Sequence, residues 1–334
     1  MTQKALLLLL LLFPIINFLI LTSSVPVDVY KSPSIDSMIV INKSPMDINK
    51  TNKKHIQTTL VTALYDINRQ NNDGRKFDTY ISWLLITCEL HHPMVIYLDK
   101  NVAGLIEQVK EKRAKSHYST IIVSTTLFDV PYAWMKENVT NILLSARWKL
   151  LAKYPAGIEN QNSNYVIIQY SKFQWMLQAM GLSRRYWHSN VFGWVDAGIN
   201  RFFPSSLQQQ QQQGSFVINK DYIYKAFKNN LFITAGSHKL PFLLNGTLRI
   251  QPDSFIGTNE NIVKGTIFIT STNRLIDVSK SIDHFIKNEL LVKSRIDNEQ
   301  IAMALIIQEH LDWFGMFRAS EKGNHIDEFI FTKK

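Results

Sequence analysis

TTLVTAL (residues 58–64), MVIYL (94–98) and TIIVS (120–124) are short apolar runs rich in β-branched residues. Runs of this length and composition read as strands buried on both faces. Two longer segments lie between them. Phe77–Leu90 brings Tyr80, Trp83, Leu84 and Thr87 to one side of a helix, and Val102–Lys115 carries the charged face EQVKEKRAK. Strands that alternate with helices predict a parallel sheet, because parallel neighbours need a crossover and the crossover helices cover both sheet faces. Residues 58–124 therefore predict an α/β fold.

The pattern continues less regularly downstream. Residues 132–153 read as helical and Tyr165–Met180 as a strongly apolar helix. Val191–Asp196 is a strand that ends in an acid. Leu231–Thr234 and Thr266–Thr270 are strand-like, and Ile276–Leu290 and Asn298–Leu311 helix-like. The glutamine tract 208–213, closed by Gly214, reads as an insertion in a surface loop. With no internal repeat and no second boundary, the expectation is one domain over 58–318. Its sheet is mixed, mostly parallel and flanked by helices, and a tail follows over 319–334.

Upstream, residues 5–21 (ALLLLLLLFPIINFLIL) follow Lys4. As a helix this run is about 26 Å long, close to the ~27 Å hydrocarbon core of the ER bilayer. Residues 1–24 thus read either as a signal peptide cut near Ser24 or as an uncleaved signal anchor holding the chain to the membrane. Both put the remainder in the secretory pathway, in the ER or Golgi lumen, as a single-pass type II membrane protein or a secreted one. The sequons at Asn49, Asn138 and Asn245 agree with a lumenal glycoprotein. Residues 25–57, polar and punctuated by Pro26, Pro33 and Pro45, read as a flexible stalk.

Composition excludes several classes. Of 334 residues 46% are hydrophobic and 19% charged, which rules out a largely disordered chain. A single cysteine, Cys88, excludes an internal disulfide framework and a cysteine-clustered zinc site. The net charge of +10 is only a weak hint about partners. Dinucleotide-fold, P-loop, nucleophile-elbow and zincin motifs are all missing from the sequence. His91 and His92 are adjacent, so their side chains diverge on a helix or a strand. Ser183–His188 (SRRYWH) mixes basic and aromatic residues as a nucleic-acid surface does, but a secretory location argues against a nucleic-acid partner and for a solvated turn or an acceptor contact.

Phe192–Gly198 (FGWVDAG) carries the functional reading. An apolar strand delivers one carboxylate, Asp196, to its carboxyl end, where parallel α/β sheets bind ligands. An acid there suits a hard divalent cation and its phosphate oxygens. Gly198 would let backbone approach a ligand, or would supply a positive φ beside a turn capped by Asp196.

Four segments resemble the HtrL/YibB family. Thr59–Arg69 (TLVTALYDINR) resembles its opening VTA-x-(Y/F)-DI-x-R strand and Val95–Asp99 its second strand. Tyr170–Phe173 (YSKF) resembles its SKF helix, and Trp194–Gly198 (WVDAG) its W-(I/V)-D-x-G strand. The likeness covers roughly residues 58–203. That family resembles the GT-A clan of nucleotide-diphospho-sugar transferases, which implies a GT-A-like fold and a glycosyltransferase acting in the secretory pathway. In that clan a D-x-D motif holds Mn²⁺ or Mg²⁺ against the donor diphosphate. Here the equivalent is Asp196 and Gly198, with one acid in place of two. By position, the resemblance assigns Thr62, Asp66 and Arg69 to the nucleotide-sugar donor.

Gly265–Thr270 followed by a helix and then Ile296–Gln300 (IDNEQ) is similar to the glycine-led strand and D-(E)-Q helix start of many GT-A enzymes. Asp297 or Glu299 would then be the base, or the anchor for a glycan, protein or lipid acceptor. The same residues also read as a capping box, Asp297 at the N-cap and Gln300 at N3. Lys172 reads either as a fixed positive charge for the diphosphate or as a lysine snorkelling from an apolar helix. His310 reads as a phosphate or metal contact, or as a partly buried helix residue. The missing second acid leaves a second function class open, a non-catalytic lectin-like or interaction protein on the same fold.

Overall fold

A computed structural model describes residues 37–41, 56–202, 216–258, 260, 262–317 and 331–333. The leader or anchor, the glutamine tract, most of the stalk and the Asn49 sequon lie outside them. The chain runs through β1 (Met38–Ile41), β2 (Thr58–Leu64), α1 (Phe77–Thr87), β3 (Met94–Asp99), α2 (Leu105–Ser116), β4 (Thr120–Thr125), α3 (Lys136–Leu144) and α4 (Ala146–Leu151). It continues through α5 (Ser163–Ser183), β5 (Val191–Val195), β6 (Phe216–Ile218), α6 (Lys220–Lys228), β7 (Phe232–Gly236) and β8 (Val263–Ser271). The last elements are α7 (Thr272–His284), α8 (Glu299–Glu309), β9 (Phe314–Met316) and β10 (Phe331–Lys333).

Eight strands form one sheet in the order β1-β4-β3-β2-β5-β8-β7-β9. β2 pairs in parallel with β3 and β5, β3 with β4, and β7 with β9. β8 runs antiparallel between β5 and β7, and β1 lies antiparallel on β4. The fold is α/β, a mixed and mostly parallel sheet flanked by helices, as residues 58–124 predict.

The burial of alternate strand residues explains the near-continuous apolar runs. Val61, Val95, Tyr97, Ile121, Phe192 and Trp194 face one core, closed by α3, α4, α5, α7 and α8. Leu60, Met94, Ile96, Ile122, Val191 and Val195 face the other, closed by α1, α2 and α6. α5 crosses the first face at its centre. Its Trp175 ring stacks between Tyr65, Tyr97 and Trp194 at centroid distances of 5.6, 5.6 and 6.0 Å. Truncating a buried aromatic of this kind costs about 3–5 kcal/mol. Among the described residues no helix is long and apolar enough to cross a membrane.

Two expected boundaries are corrected. Met38–Ile41 falls in the expected stalk but caps the sheet edge as β1, a short apolar strand that covers β4. Phe331–Lys333 falls in the expected tail but pairs antiparallel with β6. Two further readings resolve toward structure. His92 is buried and accepts a hydrogen bond at Nε2 from the Ile218 amide. Trp187 of the SRRYWH segment is buried and donates from Nε1 to the Thr59 hydroxyl at 2.8 Å, at the amino end of β2.

Candidate active site

The strand order places a topological switch between β2 and β5. From β2 the chain crosses to β3 and β4 on one side, and it returns on the other side of β2 as β5. In such sheets a crevice opens at the carboxyl ends of the two strands, because their connections leave in opposite directions. A cleft of about 220 Å³ lies there. Asp66, Arg69, Lys172, Asp196 and Gly198, all expected to meet the donor, line it.

The loop after β2 is held locally. Asn68 takes a left-handed φ of 55°, and its amide donates to Asp66 Oδ1 at 2.8 Å. Asn is among the few residues that tolerate this conformation. Asn162 caps α5 by accepting from the Tyr165 amide at 3.1 Å, and its Nδ2 donates to the Ile67 carbonyl at 2.9 Å. This contact ties the loop to the start of α5. There the Arg69 guanidinium lies 5.1 Å from the Tyr165 ring centre and 5.7 Å from that of Tyr80.

The turn after β5 is fixed from below. Asp196 Oδ1 accepts from Trp194 Nε1 at 2.7 Å, and the Ala197 carbonyl accepts from the Thr87 hydroxyl of α1 at 2.7 Å. Gly198 is required for packing. A Cβ there would lie 2.8 Å from Trp83, and its φ is not left-handed. The positive-φ reading of this glycine is thus replaced by a contact with α1, while its backbone still lines the cleft. Arg201 follows, its guanidinium 4.5 Å from the Phe202 ring centre and 5.3 Å from that of Trp83.

Lys172 is not a loose snorkelling lysine: it lines the cleft from within a buried cluster of charges. Its side chain is 3% exposed and Nζ lies 2.6 Å from Glu299 Oε1 and 3.1 Å from Asp196 Oδ1. Nζ also donates to the Gly265 carbonyl at 2.9 Å. Burial alone would pull the ammonium down, but the charges of Asp196 and Glu299 outweigh it and hold Lys172 above the ordinary lysine range. Gly265 makes room for this arrangement, since a Cβ there would overlap the Glu299 carboxylate.

Four candidate residues lie outside the cleft lining. Thr62 is fully buried within β2, on the face away from α5. Asp297 is buried, accepting from the Gly257 amide at 2.6 Å and the Asn298 amide at 2.8 Å. Burial pushes its carboxyl up to about 7 against those two hydrogen bonds. The N-cap of α8 is Asn298, one residue later than expected, which accepts from the Gln300 and Ile301 amides. Glu299 is fully buried behind Lys172. Neither Asp297 nor Glu299 lines the cleft. His310 stacks on Trp313 at 3.9 Å, away from the cleft lining. The carboxylates that do reach the cleft are Asp66 and Asp196.

Sequence reading missed Arg75, Arg201, Tyr80 and Tyr165, which complete the cleft. The only available signal for Arg201 was its position a few residues after the strand-ending acid. A divalent cation at Asp196 finds a poor donor set, because Oδ1 is already shared by the Trp194 indole and the Lys172 ammonium. Among the described residues no three His, Cys, Asp or Glu side chains converge to hold a metal. Asn138 and Asn245 are both exposed, and Asn245 Oδ1 accepts from the Thr247 hydroxyl at 2.7 Å. No protein-family model matches the chain, and no curated protein matches its sequence.

Proposed function

We propose that the chain is a glycosyltransferase that moves a sugar from a nucleotide-diphospho-sugar donor to a glycan, protein or lipid acceptor in the secretory pathway. The observation that carries this reading is the switch-point cleft, whose lining combines Arg69 and Arg201 with Asp66 and Asp196. Guanidiniums suit the donor diphosphate because their planar fork matches phosphate oxygens two at a time. The Tyr80 ring beside Arg69 offers a face for a nucleobase. Charge that develops on the leaving diphosphate meets donors already in place, which is where electrostatic catalysis is strongest. Asp66 or Asp196, the carboxylates of the cleft lining, accepts the proton of the attacking acceptor hydroxyl.

The test is release of nucleoside diphosphate from a panel of nucleotide sugars, with Asp66→Asn and Asp196→Asn as controls. Turnover with one donor, lost in at least one variant, supports the reading. Turnover unchanged in both variants refutes the assignment of the base. A second reading, a non-catalytic sugar-binding protein on the same fold, draws on the withdrawal of Asp297 and Glu299 from the cleft. Sugar binding without nucleotide binding would favour it.

A further inference from the structure

We infer that the cleft binds a diphosphate without a divalent cation, Arg69, Arg75 and Arg201 gripping the phosphoryl oxygens while Lys172 takes the cation's place against Asp196. This rests on the reading of the cleft as a nucleotide-sugar site.

The first argument is the donor set. A hard divalent cation takes six or more oxygen ligands, and protein sites of this kind supply carboxylates. Asp196 has one carboxylate oxygen committed to an indole N–H at 2.7 Å and to an ammonium at 3.1 Å. The ammonium is locked by Glu299 and the Gly265 carbonyl, at 2.6 and 2.9 Å. A metal on Asp196 would therefore sit beside a buried positive charge that cannot withdraw.

The second argument is the charge left over. Four cationic side chains, Arg69, Arg75, Lys172 and Arg201, line the cleft against two acidic ones, Asp66 and Asp196. Lys172 is matched by Asp196 and Glu299, and the three arginines make the lining basic. Burial first, and then the neighbouring Arg75 and Arg69, hold the Arg201 guanidinium below the usual arginine range, with Asp196 pulling the other way. An anion between the three relieves that strain.

The third argument is unmet hydrogen bonding. Arg201 Nε, Gln169 Oε1 and the Tyr80 hydroxyl are buried atoms of the cleft lining that have no hydrogen-bond partner among the described residues. Buried polar groups without partners are rare. A polyanion supplies acceptors for the first and the third, and a ribose or sugar hydroxyl supplies a donor for the second.

The test is calorimetric titration of the purified chain with inorganic pyrophosphate, in EDTA and again in Mn²⁺. The expected result is binding in EDTA, with Kd changed by less than threefold on adding Mn²⁺. Arg201→Met should weaken it at least tenfold, and Arg201→Lys should restore part of the loss. Arg75→Met, on an exposed side chain, should weaken binding threefold or more and keeps the test open if Arg201→Met does not fold. Binding that appears only with Mn²⁺ and vanishes in Asp196→Asn overturns the cation-free clamp and leaves the transferase reading standing. No binding of pyrophosphate or of any nucleoside diphosphate under either condition, in a folded chain, overturns both.

Discussion

Replacing Lys172 by Met removes, among the described residues, the one positive charge paired with Glu299 Oε1. The separations are 2.6 Å to Glu299 and 3.1 Å to Asp196, so at an effective dielectric near 20 the attractions are about 6 and about 5 kcal/mol. Desolvation of each ion offsets several kcal/mol of this. The Asp196 share is further screened, since its side chain is 24% exposed. What remains after removal is the cost of an unmatched Glu299 carboxylate with no exposure, and breaking a buried pair in this way costs about 3–5 kcal/mol. The loss carries a pH signature. Burial already raises the Glu299 carboxyl, and Lys172 holds it down. In Lys172→Met the folded-state value rises further above the unfolded one, so the folded chain binds a proton that the unfolded chain has released. Stability of the variant then falls as pH rises, and its deficit against wild type is smaller at pH 5 than at pH 8. Urea unfolding followed by tryptophan fluorescence at both pH values measures this. The double variant Lys172→Met with Glu299→Leu should recover at least about 2 kcal/mol of the loss at pH 8, because no buried charge is left alone. A Lys172→Met deficit under about 1 kcal/mol and equal at both pH values would refute the reasoning.

Arg113 is fully buried and donates to the carbonyls of Cys88, Leu90 and His92 at 2.8, 2.9 and 2.8 Å and from Nε to the Thr120 hydroxyl at 2.8 Å; Arg113→Met should cost at least about 3 kcal/mol in a urea titration, since four acceptors lose their donor. Asp297 is pushed up to about 7 by burial, so it contributes stability in full below its unfolded value and loses it as pH rises through 7. That contribution amounts to about 4 kcal/mol. Asp297→Asn should therefore gain on wild type between pH 5 and pH 8, and parallel pH profiles of the two would contradict this. Gly198→Ala places a Cβ 2.8 Å from Trp83; overpacking of this size should cost about 1–3 kcal/mol in thermal unfolding. Because Trp83 supports Arg201, pyrophosphate binding by this variant should weaken as well.

Local pattern sufficed where burial is uniform along an element. TTLVTAL, MVIYL and TIIVS are strands at nearly their expected ends, because a strand buried on both faces must be apolar at every position. The acid that ends VFGWV lies in a cleft because the carboxyl ends of parallel strands are where helix crossovers leave space. Those features, and with them the fold class, belong to the sequence by itself. The three-residue β9 and β10 and the four-residue β1 exist only by pairing, and segments that short have no periodicity to read. The antiparallel entry of β8 between β5 and β7 is likewise a choice of neighbour. The chemistry of the site was decided later still. Lys172 and Glu299 are 127 residues apart in sequence, and Arg201 and Arg69 come together only in the cleft lining. Whether a lysine faces a ligand or is locked beneath it depends on charges that folding brings within 3.1 Å. Local sequence carries the burial pattern, whereas those distances depend on the packing of α5, α8 and the sheet together.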